Sequence, residues 1–447
     1  MPSKGVFEAR LDDEIEVARK MEGSRLRVGW SIRDSITISA FSFGSTAFAM
    51  ALGVLVLPLL VLRVGPEEMK NTLLGIMGLA GLAVAMAVQP LTGRMSDRTT
   101  SLCGRRAPYI MVGGVAASIG VFLLPVAAGP VALTLALMAV QLCLNIALGP
   151  YYALIRDLAP KARRGATSSV KLMADAGGAV VSLVMLAFLL GNYAASQQVV
   201  WLWLSLGFIS LVLTVSMLWT ATGVRRMGTT DPSTPRAPEE KANLRRTQAG
   251  FGWFLGSRFC TFAALGVLQT YAVFFLRDVA GLANPVRTAG LMAAVIGVCV
   301  MVVAYPLGRL SDRVGRKGIV TVAIVVGAGG TLALLLARDI PPVLLLGALL
   351  GASAGAFFSV SWAMATDMVS AGRTAEHMGI ANAAAVGGTA LAKMAGPVID
   401  VLNRLGEGLG YSVLLVACSL LFLLGALLLV PVRSERGAAS AEAYPNS

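Results

Sequence analysis

The amino-acid sequence predicts an all-α polytopic membrane protein with twelve transmembrane helices in two six-helix bundles. Of its 447 residues, 56% are hydrophobic and 14% are charged, and the mean hydropathy is +0.75, whereas about a quarter of the residues of a soluble domain are charged. Apolar runs of about 20 residues, enough to cross a bilayer, recur from Ile36 almost to Val432. A charged loop motif that occurs twice divides these runs into two similar halves.

Six apolar runs precede a polar stretch that holds Pro232, Pro235 and Pro238 among charged residues, and six follow it. Such a stretch is typical of a flexible linker. The predicted helices span 36–62, 72–92, 108–128, 131–155, 169–190 and 199–220, then 251–276, 289–307, 319–336, 342–365, 378–401 and 411–432. The predicted organisation is a cytoplasmic tail at 1–35, a bundle at 36–221, a cytoplasmic linker at 222–249, a bundle at 250–433 and a cytoplasmic tail at 434–447.

Positive charge predicts the orientation, because cytoplasmic loops of membrane proteins are enriched in Lys and Arg. With the N-terminus placed inside, 28 basic residues fall in cytoplasmic segments and six in outer loops. The first 35 residues lack the apolar stretch and small-residue cleavage site of a signal peptide. We therefore expect a multi-pass protein of the cytoplasmic (plasma or inner) membrane with both termini in the cytoplasm. The net charge of +13 is explained by these loops, so we expect a lipid bilayer and no nucleic acid as its partner.

The sequence offers no pattern for metal or covalent chemistry. Its five cysteines are far apart, and His377 is the single histidine, so neither a disulfide framework nor a histidine-based metal site is expected. An intramembrane enzyme needs a nucleophile with a base, or a metal cluster, and neither is apparent. We expect no catalytic residues, no metal, no cofactor and a monomeric protein.

The loop motif is the most specific feature of the sequence. Gly93-Arg-Met-Ser-Asp-Arg98 follows the second predicted helix, and Gly308-Arg-Leu-Ser-Asp-Arg313 follows the eighth. The Asp can accept hydrogen bonds from helix N-terminal amides and pair with the Arg cluster, which predicts a latch for one conformation; alternatively, each Arg only fixes topology. The residues of this conformational motif are Gly93, Asp97, Arg98, Gly104, Arg105 and Arg106 in the first copy, Gly308, Asp312, Arg313, Gly315, Arg316 and Lys317 in the second, and Asp157 and Asp367 after the fourth and tenth helices.

The repeated motif resembles that of the major facilitator superfamily, over about residues 33 to 433. The resemblance implies two six-helix bundles around a central cavity that opens alternately to either side. Within the first half, residues 89–110 are similar to the glycoside:cation symporters and especially to the sucrose transporters. Where those proteins carry an acidic residue and an Arg in the fourth helix, this chain has Gln141 and Tyr152. The resemblance therefore leaves two alternatives: a carrier for a different glycoside, or a carrier that is not coupled to a cation.

Polar residues inside the predicted spans are the candidates for the substrate cavity, since an unpaired charge there costs several kcal/mol. Lys171 and Asp175 lie one helical turn apart and can pair with each other, which is either a structural pair or part of the cavity. Arg258 and Lys393 have no acidic partner within a turn and must find one on another helix, snorkel or face the cavity. The candidates are Gln141, Asn145, Tyr152, Lys171, Asp175, Arg258, Gln269 and Lys393.

Three further features carry expectations. Tyr151, Tyr271 and Trp362 either stack on a sugar ring or pack between helices, and Asp400 is expected as a solvated charge near a helix end. The glycine pairs at 177–178 and 387–388 lie at comparable positions of the two halves, and mark either tight helix packing or the place where the bundles rock.

The sequence thus predicts a secondary active transporter for a small polar organic solute, with a sugar or glycoside as the leading class and H⁺ or Na⁺ as a coupling cation. The alternatives are an exporter of amphipathic compounds or drugs, and a non-transporting membrane assembly or pigment-handling factor on the same fold.

Overall fold

The computed structural model describes residues 30–99, 101, 104–160, 163–227, 250–368 and 374–432. These residues form helices and connecting turns. The predicted C-terminal tail and most of the predicted N-terminal tail and linker lie outside them. The long helices are α1 Ile32–Val64, α2 Lys70–Arg98, α3 Ala107–Leu123, α4 Pro130–Tyr151, α5 Arg164–Ser196, α6 Val199–Met227, α7 Phe251–Asp278, α8 Pro285–Val314, α9 Arg316–Leu336, α10 Ile340–Asp367, α11 Thr374–Lys393 continuing as Gly396–Leu405, and α12 Leu409–Leu428.

Each helix lies where the sequence predicted a span. Eleven of them are long and apolar enough to cross a membrane, within the ranges just given. The shorter one is α3, Ala107–Leu123, which is about 25 Å long by its residue count. Its last turn, Val121–Leu123, is a 3₁₀ turn. Helix α6 continues to Met227, so the first residues assigned to the linker are helical.

Helix α1 shows how local sequence sets the start and the course of an element. A capping box begins it: the Ser31 side chain accepts from the Asp34 amide at 3.3 Å, and the Asp34 carboxylate accepts from the Ser31 amide at 2.8 Å, which satisfies two amides at the helix start. Further along, Leu52–Val56 form a π-helical turn, followed by Pro58. Pro58 lacks an amide hydrogen, so the widened turn precedes a residue that cannot donate to it.

The first six helices pack mainly with one another, as do the last six. Helix α1 packs against α5 and α6 in the first half, and α7 packs against α11 and α12 in the second. Between the halves, α5 packs against α8 and α2 against α11. The described residues thus repeat one arrangement twice.

The two halves join at the end of the bundle that holds the α1–α2, α7–α8 and α11–α12 connections. Hydrogen bonds and ion pairs between the halves cluster there, at the start of α2 and the end of α7. Toward the opposite end, where the repeated loops lie, two aromatic residues of the inner helices are about half exposed, Tyr152 at 54% and Trp362 at 47%. The hydrogen bonds and ion pairs that join the halves therefore lie at one end of the bundle, the closed end, and the repeated loops lie at the opposite end, the loop end.

Candidate functional site: two loop locks and the interface between the halves

The first loop motif forms a lock between α2, α3 and the end of α4. The Arg106 guanidinium is 5% exposed and contacts Asp97 at 2.5 Å, Asp157 at 2.9 Å and Ser96 Oγ at 2.5 Å. Arg105 donates to the same Asp157 oxygen at 2.9 Å. Arg106 thus joins the two acidic residues that the sequence singled out.

The second motif forms a similar lock, but its central arginine stands one position nearer to the motif glycine. Arg316 pairs with Asp367, contacts Asp312 at 3.4 Å and donates to the Ala363 carbonyl at 2.6 Å. Arg316 therefore contacts two acidic residues as Arg106 does in the first half, although Arg316 follows Gly315 directly, as Arg105 follows Gly104. Lys317 instead donates to the carbonyls of Val430 and Val432 at 2.8 and 2.9 Å, and ties the end of α12 to the start of α9.

The remaining motif residues lie at the helix ends that form the locks. Gly93 supplies a carbonyl that accepts from Ser96 at 2.9 Å, and Gly308 does the same for Ser311 at 2.6 Å. Gly104 and Gly315 have positive φ angles of 85° and 109°, which glycine adopts without strain. Arg98 and Arg313 occupy the last turns of α2 and α8.

The glycine pairs pack helices inside each half. A side-chain carbon on Gly178 would lie 2.1 Å from the Phe43 carbonyl of α1, and one on Gly388 would lie 2.3 Å from the Phe259 carbonyl of α7. These contacts join α5 to α1 and α11 to α7. Of the two interpretations, the structure supports tight packing within a bundle at these glycines.

A polar cluster in the first half brings together three of the predicted cavity residues. Lys171 Nζ contacts Asp175 Oδ2 at 2.7 Å and lies 5.7 Å from the centre of the Tyr152 ring. The other Asp175 oxygen accepts hydrogen bonds from Thr46 at 2.9 Å and from Ser42. The cluster thus joins α1, α5 and the end of α4.

A cation also lies over an aromatic ring in the second half. Arg258 is 3% exposed and donates to Ser361 Oγ at 2.9 Å. Its guanidinium lies 5.5 Å from the Trp362 ring centre and also faces Phe254 and Phe262. Trp362 precedes Asp367 by five residues, as Tyr152 precedes Asp157, so the two rings hold matching positions. Arg258 is buried under these rings.

Gln141 and Asn145 lie between α4 and α2. Asn145 is 2% exposed, accepts from Gln89 at 2.6 Å and donates to the Gln141 carbonyl at 2.7 Å. Gln141 lies against Gly81, where a side-chain carbon would be 3.3 Å from it. Asn145 thus joins two helices of the first half.

A cavity of about 330 Å³ lies between the halves and is almost entirely apolar. Gln269 is one of its few polar residues, and its amide lies 3.3 Å from the Met50 sulfur of the other half. Tyr271 lines the same cavity. The apolar residues around it include Met50, Leu183, Leu265, Met292, Ile296 and Phe358.

Lys393 lies between α11 and α2. Its carbonyl accepts from the Tyr271 hydroxyl at 3.0 Å. Its side chain lies along α2, where a carbon on Gly78 would be 2.9 Å from the ammonium. The side chains of Lys393 and Gln269, two of the predicted cavity residues, contact the opposite half.

Asp400 corrects one expectation from the sequence. It is 5% exposed instead of solvated, because its oxygens accept from the side chain of Asn71 at 2.8 Å and from the amide and hydroxyl of Thr72 at 2.7 and 2.6 Å. Tyr411 links the same Asn71 to Asp278, at 3.0 and 2.9 Å. These contacts close the bundle between α2 and α11.

An ion-pair group completes the closed end. Lys70 contacts Asp278 at 2.6 Å and Glu67 at 2.5 Å, and Arg277 contacts Glu67 at 3.1 Å. Partial burial raises the pKa of Glu67, but the hydrogen bond from Lys70 and the charges of Lys70 and Arg277 outweigh it, so this pKa lies below its ordinary value. Glu67 is therefore a negative group held between basic residues of both halves.

Two similar helical halves, with a lock on each and one closed end, define a secondary transporter of alternating-access type. The chain belongs to the MFS/sugar transport protein family, whose model matches residues 37–399. The family resemblance seen in the sequence is confirmed, and the protein is a carrier and not an enzyme. A shorter match of 99 residues is 35% identical to the sucrose transport protein SUC4 of Arabidopsis thaliana. That match spans 19% of each chain.

Three solved structures with the same fold are of proteins described as transporters or as a homologue of one. A bacterial homologue of the human lysosomal transporter Spinster, in an inward-facing and occupied conformation, has a TM-score of 0.63 at 16% identity, over 88% of this chain and 94% of its own. Peptide transporter POT in complex with sulfate gives 0.66 at 14% identity, over 89% and 94%. Nucleoside transporter NupG gives 0.60 at 14% identity, over 89% and 98%. At such identities the likeness shows the fold alone.

Proposed function

We propose that the protein carries a sugar or glycoside across the cytoplasmic membrane by alternating access, coupled to a cation. The observation that carries this proposal is the cluster of Tyr152, Lys171 and Asp175 with two hydroxyl groups of α1. A sugar presents hydroxyl groups that both donate and accept, and an apolar ring face. The cluster offers a carboxylate, an ammonium and a half-exposed aromatic ring beside one another.

Asp175 is also our candidate for the coupling group. A carboxylate inside a span is costly unless paired, and such residues mark ion and proton pathways. Asp175 shares its oxygens between Lys171 and the hydroxyls of Ser42 and Thr46. A proton or Na⁺ on this carboxylate would weaken its hold on Lys171 and free that ammonium for the solute.

The cytoplasmic orientation rests on the excess of basic residues in the loops at the loop end. With both termini inside, the repeated loops face the cytoplasm and the closed end faces outward. In that orientation the halves are joined at the outer end, as expected for an inward-open state of the transport cycle, and the two locks lie on the cytoplasmic side.

The proposal is tested by uptake into proteoliposomes with a panel of labelled sugars and glycosides, with and without proton and Na⁺ gradients. We expect gradient-driven uptake of one sugar family. Tyr152→Phe keeps the ring and should retain uptake, whereas Tyr152→Ala should lower it about tenfold or more, the loss of about 1.4 kcal/mol.

Two aspartate variants separate coupling from folding. Asp175→Asn should abolish the gradient dependence, while Asp339→Asn, an exposed residue at the opposite end of the second half, should leave it unchanged. If the wild-type protein takes up none of the labelled sugars or glycosides in the panel, the sugar assignment is refuted. Unaltered coupling in well-folded Asp175→Asn would refute the role of Asp175.

A second candidate function is export of amphipathic compounds, which the apolar cavity between the halves favours. An apolar, mostly preformed cavity suits a solute with a large apolar surface. Leu265→Gln would place an amide in that cavity and should lower the flux of an amphipathic dye while leaving sugar flux intact. Loss of sugar flux alone in this variant would contradict the export assignment.

A further inference from the structure

Helix α11 is interrupted within its span. Its first segment ends at Lys393, its second segment runs over Gly396–Leu405, and a two-residue turn lies between them. Pro397, at the start of the second segment, lacks the amide hydrogen that would bond to the Lys393 carbonyl four residues earlier. The Tyr271 hydroxyl of α7 donates to this carbonyl at 3.0 Å instead. The helix ladder is thus broken here, and a side chain of another helix satisfies the freed carbonyl.

The corresponding helix of the first half is continuous. The glycine pairs at 177–178 and 387–388 align α5 with α11, so the break at 393–396 corresponds to residues 183–186 of α5. Helix α5 runs without interruption over Arg164–Ser196, and its sequence contains no proline. The packing of a six-helix half therefore does not require the break, which is a feature of the second half.

A second joint follows the second segment of α11. The turn from Gly406 to Gly408 connects this ten-residue segment to α12, and Gly408 has a φ angle of 71°, which glycine adopts without strain. Beyond the turn, the Gly410 amide donates to the Asn403 side chain at 2.9 Å and keeps the far end of the segment on α12. Hinges are commonly a few residues at the ends of an element, so the segment can turn between these two joints.

The second segment of α11 also carries the contact that closes the bundle. Asp400 accepts from the amides of Asn71 and Thr72 at 3.3 and 2.7 Å, in the first turn of α2. A carboxylate stabilises the free amides at a helix start, and here it belongs to the other half. Gly396 packs on the same turn, since a side-chain carbon on it would lie 2.3 Å from the Asn71 carbonyl. A movement of this segment alone would therefore undo the contact between α2 and α11.

We propose that the second segment of α11 is a gate of its own, which turns between its two joints, withdraws Asp400 from α2 and opens this part of the closed end before the rest of the second half moves. A rigid α11 would have to carry along its first segment, which is packed on α7 through Gly388. Because the ladder is already broken at Lys393, the turning motion costs no further helix hydrogen bond there. The gate does not depend on which solute is carried, so it stands or falls separately from the sugar proposal.

Distances between pairs of spin labels on the reconstituted full chain, with its native cysteines replaced, test this gate. A label at Val401, an exposed residue of the second segment, is paired with one at Leu336 of the same half or with one at Glu68 of the other half. The exposed residue Ala283 paired with Leu336 is the control within the second half. The substitution Asp400→Ala releases the gate, because it removes the contacts of the carboxylate with α2.

We expect both Val401 distances to change in Asp400→Ala, while the distance between Ala283 and Leu336 stays constant. A longer distance from Val401 to Glu68 with an unchanged distance from Val401 to Leu336 would show that the halves move as rigid bodies, and would overturn the gate. Unchanged Val401 distances in both pairs would overturn it as well, because the segment would then be held without its contact to α2.

Two proline variants test the joint. Pro397→Ala supplies an amide for the Lys393 carbonyl and, when added to Asp400→Ala, should reduce the change of the distance between Val401 and the label in its own half. Pro341→Ala is the matched control, since Pro341 lies in the first turn of α10, where an amide has no helix carbonyl to bond. Equal distance changes with and without Pro397→Ala would overturn the role of the break.

Hydrogen exchange of the wild-type protein is a second measurement, which needs no substitution in the buried contact. The amides of residues 396–405 should exchange at least about tenfold faster than those of the matched residues 186–195 of α5, because an element that opens on its own exchanges without global unfolding. Both stretches lie at the ends of their helices on the same side of the bundle, so fraying affects them alike. Equal exchange of the two stretches would overturn the gate even if Asp400→Ala fails to fold.

Discussion

Arg106 donates two hydrogen bonds to one oxygen of Asp157, from Nε at 3.0 Å and from Nη2 at 2.9 Å. Paired donors on a planar guanidinium fix both distance and direction, so the short helix Leu154–Leu158, which follows α4, is held to the start of α3. Asp157 is 14% exposed at its side chain and Asp97 is 52% exposed. Water screens the Asp97 contact more strongly, and the Asp157 contact is the main one of the lock.

The first prediction concerns the different contributions of Asp157 and Asp97 to the first lock. Asp157→Asn should lower the transport rate about tenfold or more, because a neutral amide cannot hold two guanidinium groups. Asp97→Asn should have a smaller effect, since it removes one partly solvated ion pair. Initial uptake rates at equal amounts of reconstituted protein measure both. A larger loss for Asp97→Asn would show that the exposed carboxylate controls the lock.

The second prediction concerns the glycines of α5. Gly178→Ala should destabilise the protein by about 1–3 kcal/mol, because its new carbon would overlap the Phe43 carbonyl. Gly177→Ala is the matched control, since its nearest neighbour would be 3.6 Å away. Thermal unfolding in detergent should show a lower midpoint for the first variant alone. Equal midpoints would mean that α1 and α5 separate at little cost.

The third prediction concerns the closed end. Asn71→Ala removes hydrogen bonds to Asp400 and Tyr411 and leaves the buried Asp400 carboxylate short of donors. The halves should separate more often at this end, which spin labels at Glu68 and Arg404 would report as a longer distance. Thr134→Ala, which breaks a hydrogen bond inside α4, serves as the control. An unchanged distance distribution in Asn71→Ala would exclude this contact as a gate.

The fourth prediction concerns pH. The pKa of Glu67 is lowered in the closed arrangement mainly by Lys70 of the same half and, to a smaller extent, by Arg277 of the other half. The part that comes from Arg277 should be lost when Arg277 moves away with the second half. The stabilisation is therefore present above the ordinary pKa and is lost as the pH falls through the lowered one. Acidification below that ordinary value should open the closed end in the same spin-label experiment.

Glu67→Gln should weaken the closed end at neutral pH and reduce its acid response. Asp339→Asn, at an exposed position between α9 and α10, should leave both unchanged. A full acid response in Glu67→Gln would contradict the assignment of the effect to Glu67.

The sequence predicted the helices well and the polar contacts unevenly. Helix positions follow from the length of apolar runs and from the breaks between them, which are local properties, and the Lys171–Asp175 pair is one turn of one helix. The Asp400 contacts with Asn71 join residues far apart in the chain, and nothing at either position indicates the other. The burial of Arg258 under Trp362 likewise depends on how three helices pack.

The register of the locks shows a similar limit. Arg106 and Lys317 are each the second residue after a motif glycine, Gly104 and Gly315, whereas the contacts match Arg106 with Arg316. The loop between the motif Asp and the basic pair is longer in the first copy, and the number of loop residues does not tell which side chain reaches the carboxylate. Side-chain chemistry could have indicated that Arg316 matches Arg106, because Arg makes a bidentate contact with a carboxylate and Lys does not.

The π-helical turn at Leu52–Val56 also bears on how the two halves are compared. Such a turn holds one residue more than an α-helical turn, and one residue rotates the following helix by about 100°. Positions of α1 after Val56 therefore point in different directions from those that simple counting along α7 would suggest. Substitutions at positions of α1 before Leu52 can be compared with those at the positions of α7 found by simple counting. After Val56, the matching position in α7 has to be shifted by one residue.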